Sequence, residues 1–192
     1  MRASIRTAES TYPRMNETIR FLSHILLGSL FLAALSQVEI PLAPIPVTLQ
    51  TFAIFLLALF QGSTKAFFSA LLYLGEATMG LPVLSCAACN PLWFIGPTAG
   101  YLFSFPLAAF VIGKVFERKN APSICWTALS IFCGQIVIFA LGISWLSFYV
   151  GWNQALPLGL YPFLPMAVLK LVAAVSFKMA DNKLRPYLSS LL

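Results

Sequence analysis

A single lysine stands within an otherwise apolar stretch near the C-terminus, and it is the residue best placed to do chemistry. Lys170 lies in the apolar run 162–179, a few residues after Pro165. A lysine at the centre of a membrane-spanning helix costs roughly 2.5–3.5 kcal/mol on insertion scales, so it must face a protein interior, a wet cavity or an interface. Glu76, near the end of another apolar run, is the nearest acidic counterpart. Two interpretations follow: Lys170 binds an anionic or polar ligand, or it pairs with an acid and joins two helices.

Uncharged polar side chains accompany aromatic ones in the connections between the apolar runs. Thr48 and Gln50 follow a proline-rich stretch, Asn90 lies within a second irregular segment and Tyr101 follows it, and residues 152–154 add a tryptophan and two amides. A small-molecule pocket needs this combination of aromatic surface and a few oriented hydrogen-bonding groups. Tryptophan and tyrosine also collect at membrane interfaces for structural reasons, so both interpretations stay open.

Motifs for enzymatic chemistry are absent from the sequence. It has no HExxH, GxSxG, P-loop or GxGxxG pattern, and its one histidine is His24. Cys86 and Cys89 form a lone CxxC, whereas a zinc site would need two more ligands. A loop disulfide and small loop residues without a special role are the remaining interpretations. We therefore predict no catalytic residue, no metal site and no cofactor, and any ATP-driven step requires another subunit.

The composition indicates that a membrane surrounds these residues. Of the 192 residues, 59% are hydrophobic and 9% are charged, whereas an average soluble domain has roughly 25% charged residues. Disordered chains need the opposite balance of low hydrophobicity and high charge. A bilayer-spanning helix uses about 20 residues, so six helices leave room for connections and seven leave almost none. We expect one compact membrane domain.

Six helices are predicted from the apolar runs. They cover residues 21–35, 47–60, 66–80, 98–115, 122–150 and 162–179. The proline-rich stretch 36–46 cannot continue a helix, and 81–96 is expected to be irregular. The second run is short, so it is either a tilted span or a partly buried helix. The predicted fold is an all-α membrane bundle over residues 21–180, with an N-terminal segment 1–20 and a tail 181–192.

The charges are distributed unevenly along the chain. Eleven of the twelve lysine and arginine residues lie in or beside the two terminal segments and the connections after the second and fourth helices. The positive-inside rule then puts both termini in the cytoplasm. The net charge of +6 is explained by this topology and does not indicate nucleic-acid binding. The basic start also resembles a secretory signal peptide, but five further apolar runs follow it.

Several motifs together resemble those of the BioY family. The stretch 40–51 reads IPLAPIPVTLQT, and YLGE at 73–76 leads into GLPV at 80–83. GPTAGYL follows at 96–102, and PFLP at 162–165 precedes Lys170. BioY proteins are the biotin-specific substrate-binding (S) components of energy-coupling-factor (ECF) transporters. The motifs keep their order over residues 20–180, which makes a chance match implausible.

The resemblance implies a six-helix S-component bundle with a biotin pocket near its outer face, in a bacterial inner membrane. It also implies a membrane T subunit and paired ATPases as partners. We expect polar contacts to the ligand from Thr48, Gln50, Asn90, Tyr101 and Lys170, and we count Glu76 among the site residues as the acidic counterpart of Lys170. In such proteins small residues of the first helix contact the T subunit, which here suggests Ser29 and Ala33.

One position departs from the family pattern. The family usually has an aspartate three residues before the lysine, where this chain has Ala167. Lys170 then needs another partner, and we hypothesise that Glu76 or the ligand provides it. The function predicted by the resemblance is biotin uptake. The alternatives are an S component for a related small molecule and a structural membrane subunit that binds no ligand, with an intramembrane enzyme as a distant third.

Overall fold

The structure is a computed structural model that describes residues 16–42, 44–85 and 90–189. The CxxC at Cys86 and Cys89 and most of the predicted N-terminal segment lie outside these ranges. The helices in the described part are α1 (Glu17–Ser36), α2 (Gln50–Gln61), α3 (Ser63–Thr78), α4 (Ala99–Glu117), α5 (Ile124–Val150), α6 (Trp152–Gly159) and α7 (Leu164–Ser189). Short 3₁₀ turns occur at Trp93–Ile95 and Tyr161–Phe163.

Among the described residues, four helical stretches are long and apolar enough to cross a membrane. They are α1, α4, α5 and the stretch Trp152–Leu184, which combines α6 with most of α7. The helix α2 has 12 residues and α3 has 16, so both are shorter than a typical span. The six predicted helices are present, which agrees with an all-α membrane protein, whereas the number of crossings and the side of each terminus stay predictions.

Two junctions differ from the sequence-based expectation. The predicted five-residue break between the second and third helices is a single residue, Gly62, with φ of +83°. Gly151, with φ of +75°, likewise separates α5 from α6. Glycine adopts this left-handed backbone at little cost, so the chain turns sharply and resumes a helix at once. The sequence pattern predicts no helix between residues 150 and 162, and this is wrong because α6 fills most of that interval.

The proline-rich stretch before α2 contains a small hairpin that the sequence pattern did not predict. Strand β1 (Glu39–Ile40) pairs antiparallel with β2 (Val47–Thr48), with Glu39 opposite Thr48. The backbone amide of Leu49 also donates to the carbonyl of Val38, at 3.0 Å. The hairpin fixes the path of the chain immediately before α2 begins.

The helix α4 is the most buried of the candidate spans. In its most apolar window 61% of residues are buried, compared with at most 33% in the other three. It packs against α5, α3 and α2, and α3 packs in turn against α1. A Cβ at Gly113 would overlap the backbone of Ser63, so glycine is what lets α4 and α3 approach so closely.

The carboxylate of Glu117, at the end of α4, caps the start of α3. It accepts hydrogen bonds from the backbone amide of Ser63 at 2.7 Å and from its hydroxyl at 2.9 Å. A negative charge at a helix N-terminus satisfies unpaired amides and interacts favourably with the helix dipole. This contact fixes the end of the bundle where α2 ends and α3 begins.

Candidate functional site

A cavity of about 330 Å³ opens at the end of the bundle where α2 and α4 begin. The hairpin region, the segment before α4, and the inner faces of α5 and α7 complete its lining. Its apolar lining includes Ile45, Leu84, Trp93, Phe105, Phe139 and Phe163. Its polar lining consists of Thr48, Gln50, Thr51, Ser85, Asn90, Thr98, Tyr101, Gln135 and Lys170. Size, concavity and a mainly apolar lining with a few polar groups are typical of small-molecule sites.

Lys170 reaches from α7 to the hairpin and α2. Its side chain is 7% exposed, and its ammonium donates to the carbonyl oxygen of Thr48 at 2.5 Å and to the hydroxyl of Thr51 at 2.9 Å. An ammonium group has three N–H donors. Two are used on the described part of the chain, which leaves the third for a ligand in the cavity.

Glu76 does not act as the counterpart of Lys170. It accepts a hydrogen bond from the hydroxyl of Ser29, which joins α3 to α1, and it is not among the described residues that line the cavity. The hypothesis of a Lys170–Glu76 pair is therefore wrong, because the face of α3 that carries Glu76 packs on α1. Ser29 is completely buried and Ala33 is partly buried; the contact of these two residues with a T subunit stays a prediction.

Thr48 and Gln50 line the cavity but also hold its lining together. The hydroxyl of Thr48 donates to the side-chain oxygen of Gln50 at 3.0 Å. The amide nitrogen of Gln50 donates to the hydroxyl of Tyr73 at 2.6 Å, and that hydroxyl donates to the carbonyl of Val83 at 3.0 Å. This chain of bonds fixes the hairpin and the segment after α3 onto the bundle, so much of the polar capacity of Thr48 and Gln50 is already used.

Tyr101 presents mainly its ring to the cavity. Its hydroxyl donates to the carbonyl of Gly159 at 2.9 Å, and its ring is stacked with that of Phe163 at a centroid distance of 6.2 Å. A Cβ at Gly142 would overlap this ring, so the glycine in α5 creates the space that Tyr101 occupies. Both rings line the cavity and give it aromatic surface against which an apolar ring system can pack.

Asn90 lies at the exposed edge of the cavity. Its side-chain oxygen accepts from the backbone amide of Leu92 at 3.1 Å, which is an Asx turn of the kind that asparagine favours. Trp93 follows, and its indole N–H donates to the hydroxyl of Thr78 at 3.1 Å. The edge is thus held by local hydrogen bonds and by a buried indole that ties it to α3.

The cavity brings together five of the six predicted site residues and adds others that the sequence reasoning missed. Thr51, Ser85 and Gln135 also line it, whereas the predicted polar stretch 152–154 does not. Gln135 could have been found by the signal that identified Lys170, because it is a polar residue within an apolar run. Within the described ranges, no three His, Cys, Asp or Glu side chains come close enough together to hold a metal ion.

Comparison with known proteins gives a consistent result. The model of the BioY family matches residues 7–186. The biotin transporter BioY of Thermotoga maritima is 38% identical over 148 residues, which are 77% of this chain and 86% of that protein. Biotin transporter BioY2 of Lactococcus lactis is 32% identical over 167 residues, covering 86% and 91% of the two chains.

A solved structure shares the fold. The crystal structure of the S-component for biotin from an ECF-type ABC transporter superposes with a TM-score of 0.78, covering 90% of this chain and 95% of that chain. The sequences are 24% identical. The overall fold of this chain therefore resembles that of an ECF S-component.

Proposed function

The chain belongs to the BioY family, and we propose that it is the biotin-binding component of a membrane transporter. It takes up biotin by capturing the vitamin in the cavity beneath the hairpin, and it is a transporter component rather than an enzyme. The observation that carries the proposal is the cavity itself, where stacked aromatic rings and one free ammonium donor converge in about 330 Å³.

The chemistry of biotin fits this lining. Biotin has a fused bicyclic ring, a urea group on one side of it and an aliphatic chain that ends in a carboxylate. The ring system lies against Tyr101 and Phe163, and the remaining N–H of Lys170 donates to the urea carbonyl. The aliphatic chain then points to the exposed edge near Asn90. Thr48 and Gln50 shape the pocket from the hairpin side. Glu76 is left out of this assignment, because its contact is with α1.

The membrane orientation follows from the charges. The cavity lies at the end of the bundle where α2 and α4 begin, and the basic residues Lys65, Lys114 and Lys119 lie towards the opposite end. The positive-inside rule therefore supports a cavity that opens outwards and termini that lie in the cytoplasm. In this arrangement residues 1–20 and 181–192 are cytoplasmic, and residues 21–180 form the binding domain with six crossings of a bacterial inner membrane.

Transport needs an energy source that this chain does not provide. The partners that we propose are an ECF T subunit and paired ATPases. Co-purification of the tagged chain with these subunits, expressed together in a bacterial membrane, tests this part of the proposal. A biotin-binding chain that takes up biotin in cells lacking any such subunits would contradict it.

Biotin binding is tested by calorimetric titration of the full chain purified in detergent. We expect one biotin per chain with a dissociation constant below about 1 μM, equivalent to a binding free energy of about −8.2 kcal/mol. Dethiobiotin keeps the urea group and should bind, whereas lipoate lacks it and should bind much more weakly. Preferential binding of lipoate would favour a related substrate. Absence of any binding to folded protein would overturn the proposed function.

A further inference from the structure

The polar groups of the cavity differ in how much hydrogen-bonding capacity they have left. Thr48, Gln50 and Tyr101 use theirs largely on other parts of the protein. Gln135 is different, because its side-chain oxygen is buried and has no hydrogen-bond partner in the described part of the chain. It lines the same cavity as Lys170. The terminal side-chain torsion of glutamine is broad, so rotation of this amide would bring its unpaired oxygen to a ligand in the cavity.

The surroundings of Gln135 make its unpaired state unfavourable without a ligand. Its side chain also borders an apolar groove of about 340 Å³ between α5 and α7, next to Phe139 and Ala167. Both residues lie between the cavity and the groove, and neither side chain has a hydrogen-bonding group. Buried polar atoms are nearly always hydrogen-bonded in folded proteins, and burying one without a partner is costly. The small side chain of Ala167 leaves room for a ligand to reach the amide.

We propose that Gln135 is a ligand-binding residue that recognises the urea group of biotin; this inference rests on the proposed function. A glutamine amide carries an acceptor oxygen and two N–H donors on one planar group. A cyclic urea presents an N–H and a carbonyl oxygen side by side, so the two groups pair through two hydrogen bonds. The urea carbonyl has a second lone pair, which accepts from Lys170. Gln135 then selects for a ring N–H, and Lys170 selects for the carbonyl.

The variant Gln135→Met tests this role, because methionine has a similar length and no hydrogen-bonding amide. We expect the dissociation constants for biotin and for dethiobiotin to rise by the same factor, at least tenfold. We also expect the ligand-free variant to unfold at a temperature equal to or above that of the unaltered chain, since an unpaired buried oxygen has been removed. The matched control is Gln154→Met, an exposed glutamine outside the cavity, which should change neither measurement.

The possible results separate this inference from the proposed function. If the unaltered chain binds no biotin, the proposed function fails and the inference fails with it. If the unaltered chain binds biotin and Gln135→Met binds it within twofold, only the inference is overturned. A loss for biotin but not for dethiobiotin also overturns it, because the contact would then be to the sulfur ring. If the methionine variant does not fold, Gln135→Asn is used instead, because its side chain is shorter by one methylene and holds the amide farther from the ligand. A biotin affinity of Gln135→Asn within twofold of the original overturns the inference.

Discussion

Replacing Lys170 with methionine removes the ammonium group and keeps most of the side-chain volume. The ammonium is the strongest donor in the cavity, and its third N–H is the one not used on Thr48 and Thr51. A hydrogen bond from a charged donor contributes about 1.5–3 kcal/mol. Since 1.4 kcal/mol corresponds to a tenfold change in affinity, we expect Lys170→Met to weaken biotin binding by roughly tenfold to 150-fold.

The effect of the same substitution on folding is expected to be smaller, because two contributions oppose each other. The variant loses two hydrogen bonds with a charged donor, to the carbonyl of Thr48 and the hydroxyl of Thr51. It also no longer places a lysine in a membrane-spanning helix, which costs roughly 2.5–3.5 kcal/mol. A large loss of affinity with a small change in thermal unfolding is therefore the expected combination.

The measurement is a calorimetric titration of biotin into each purified variant, together with thermal unfolding of the ligand-free protein. Lys183→Met is the matched control, because Lys183 is exposed near the end of α7 and should leave the affinity unchanged. Biotin affinity in Lys170→Met within threefold of the original, in protein that unfolds normally, would refute the assignment of the free N–H to the ligand. An equal loss in Lys183→Met would show that the effect is not specific to the cavity.

Three further substitutions test the contacts around the cavity. We expect Tyr101→Phe to lower the free energy of unfolding by about 1 kcal/mol, because it leaves a buried carbonyl of α6 unpaired. Biotin affinity should change less than threefold. A loss of affinity above tenfold would mean that the hydroxyl contacts the ligand. We expect Gly142→Ala to lower both thermal stability and biotin affinity by pushing against the Tyr101 ring, whereas Gly75→Ala, which faces open space, should lower neither. We expect Glu117→Gln to destabilise the fold by about 1 kcal/mol through loss of the charged cap on Ser63, with biotin affinity unchanged. For all three substitutions, calorimetric titration measures the affinity and thermal unfolding measures the stability. A changed affinity in Glu117→Gln would contradict the expectation that this cap affects stability alone.

Much of the fold could be predicted from the sequence because hydrophobicity and proline act locally. The apolar runs lie within a few residues of the observed helices at most ends, as in α5, which was predicted at 122–150 and is observed at Ile124–Val150. The errors occur where one glycine replaces a whole connection. The pattern at residues 61–65 reads as a loop, but Gly62 turns the chain within one residue. Composition does not reveal that one residue with a positive φ is enough to end one helix and begin the next.

The site was predictable only as far as a polar residue could be recognised as costly in its segment. Lys170 stood out because a charge in an apolar run needs a partner, and its burial in the cavity agrees with that reasoning. Its partner could not be predicted, because partner choice depends on how the helices are rotated about their axes. Glu76 therefore went to α1 through Ser29. Lys170 instead donates to the hydroxyl of Thr51 and to the backbone carbonyl of Thr48 in the hairpin. No side-chain pattern could indicate a backbone carbonyl.

Lys170 gives a physical reason to expect that ligand binding and the position of the hairpin are linked. The same nitrogen that donates to the carbonyl of Thr48, in the hairpin, carries the N–H left for the ligand. The hydroxyl of Thr51 ties that nitrogen to α2 as well. A ligand that accepts the third N–H completes the hydrogen bonding of the ammonium, so it favours the side-chain position in which the hairpin is held. In a ligand-free chain that third contact is absent, so the side-chain position of Lys170 that holds the hairpin is less strongly favoured. On this reasoning the hairpin closes the cavity most firmly when the cavity is occupied.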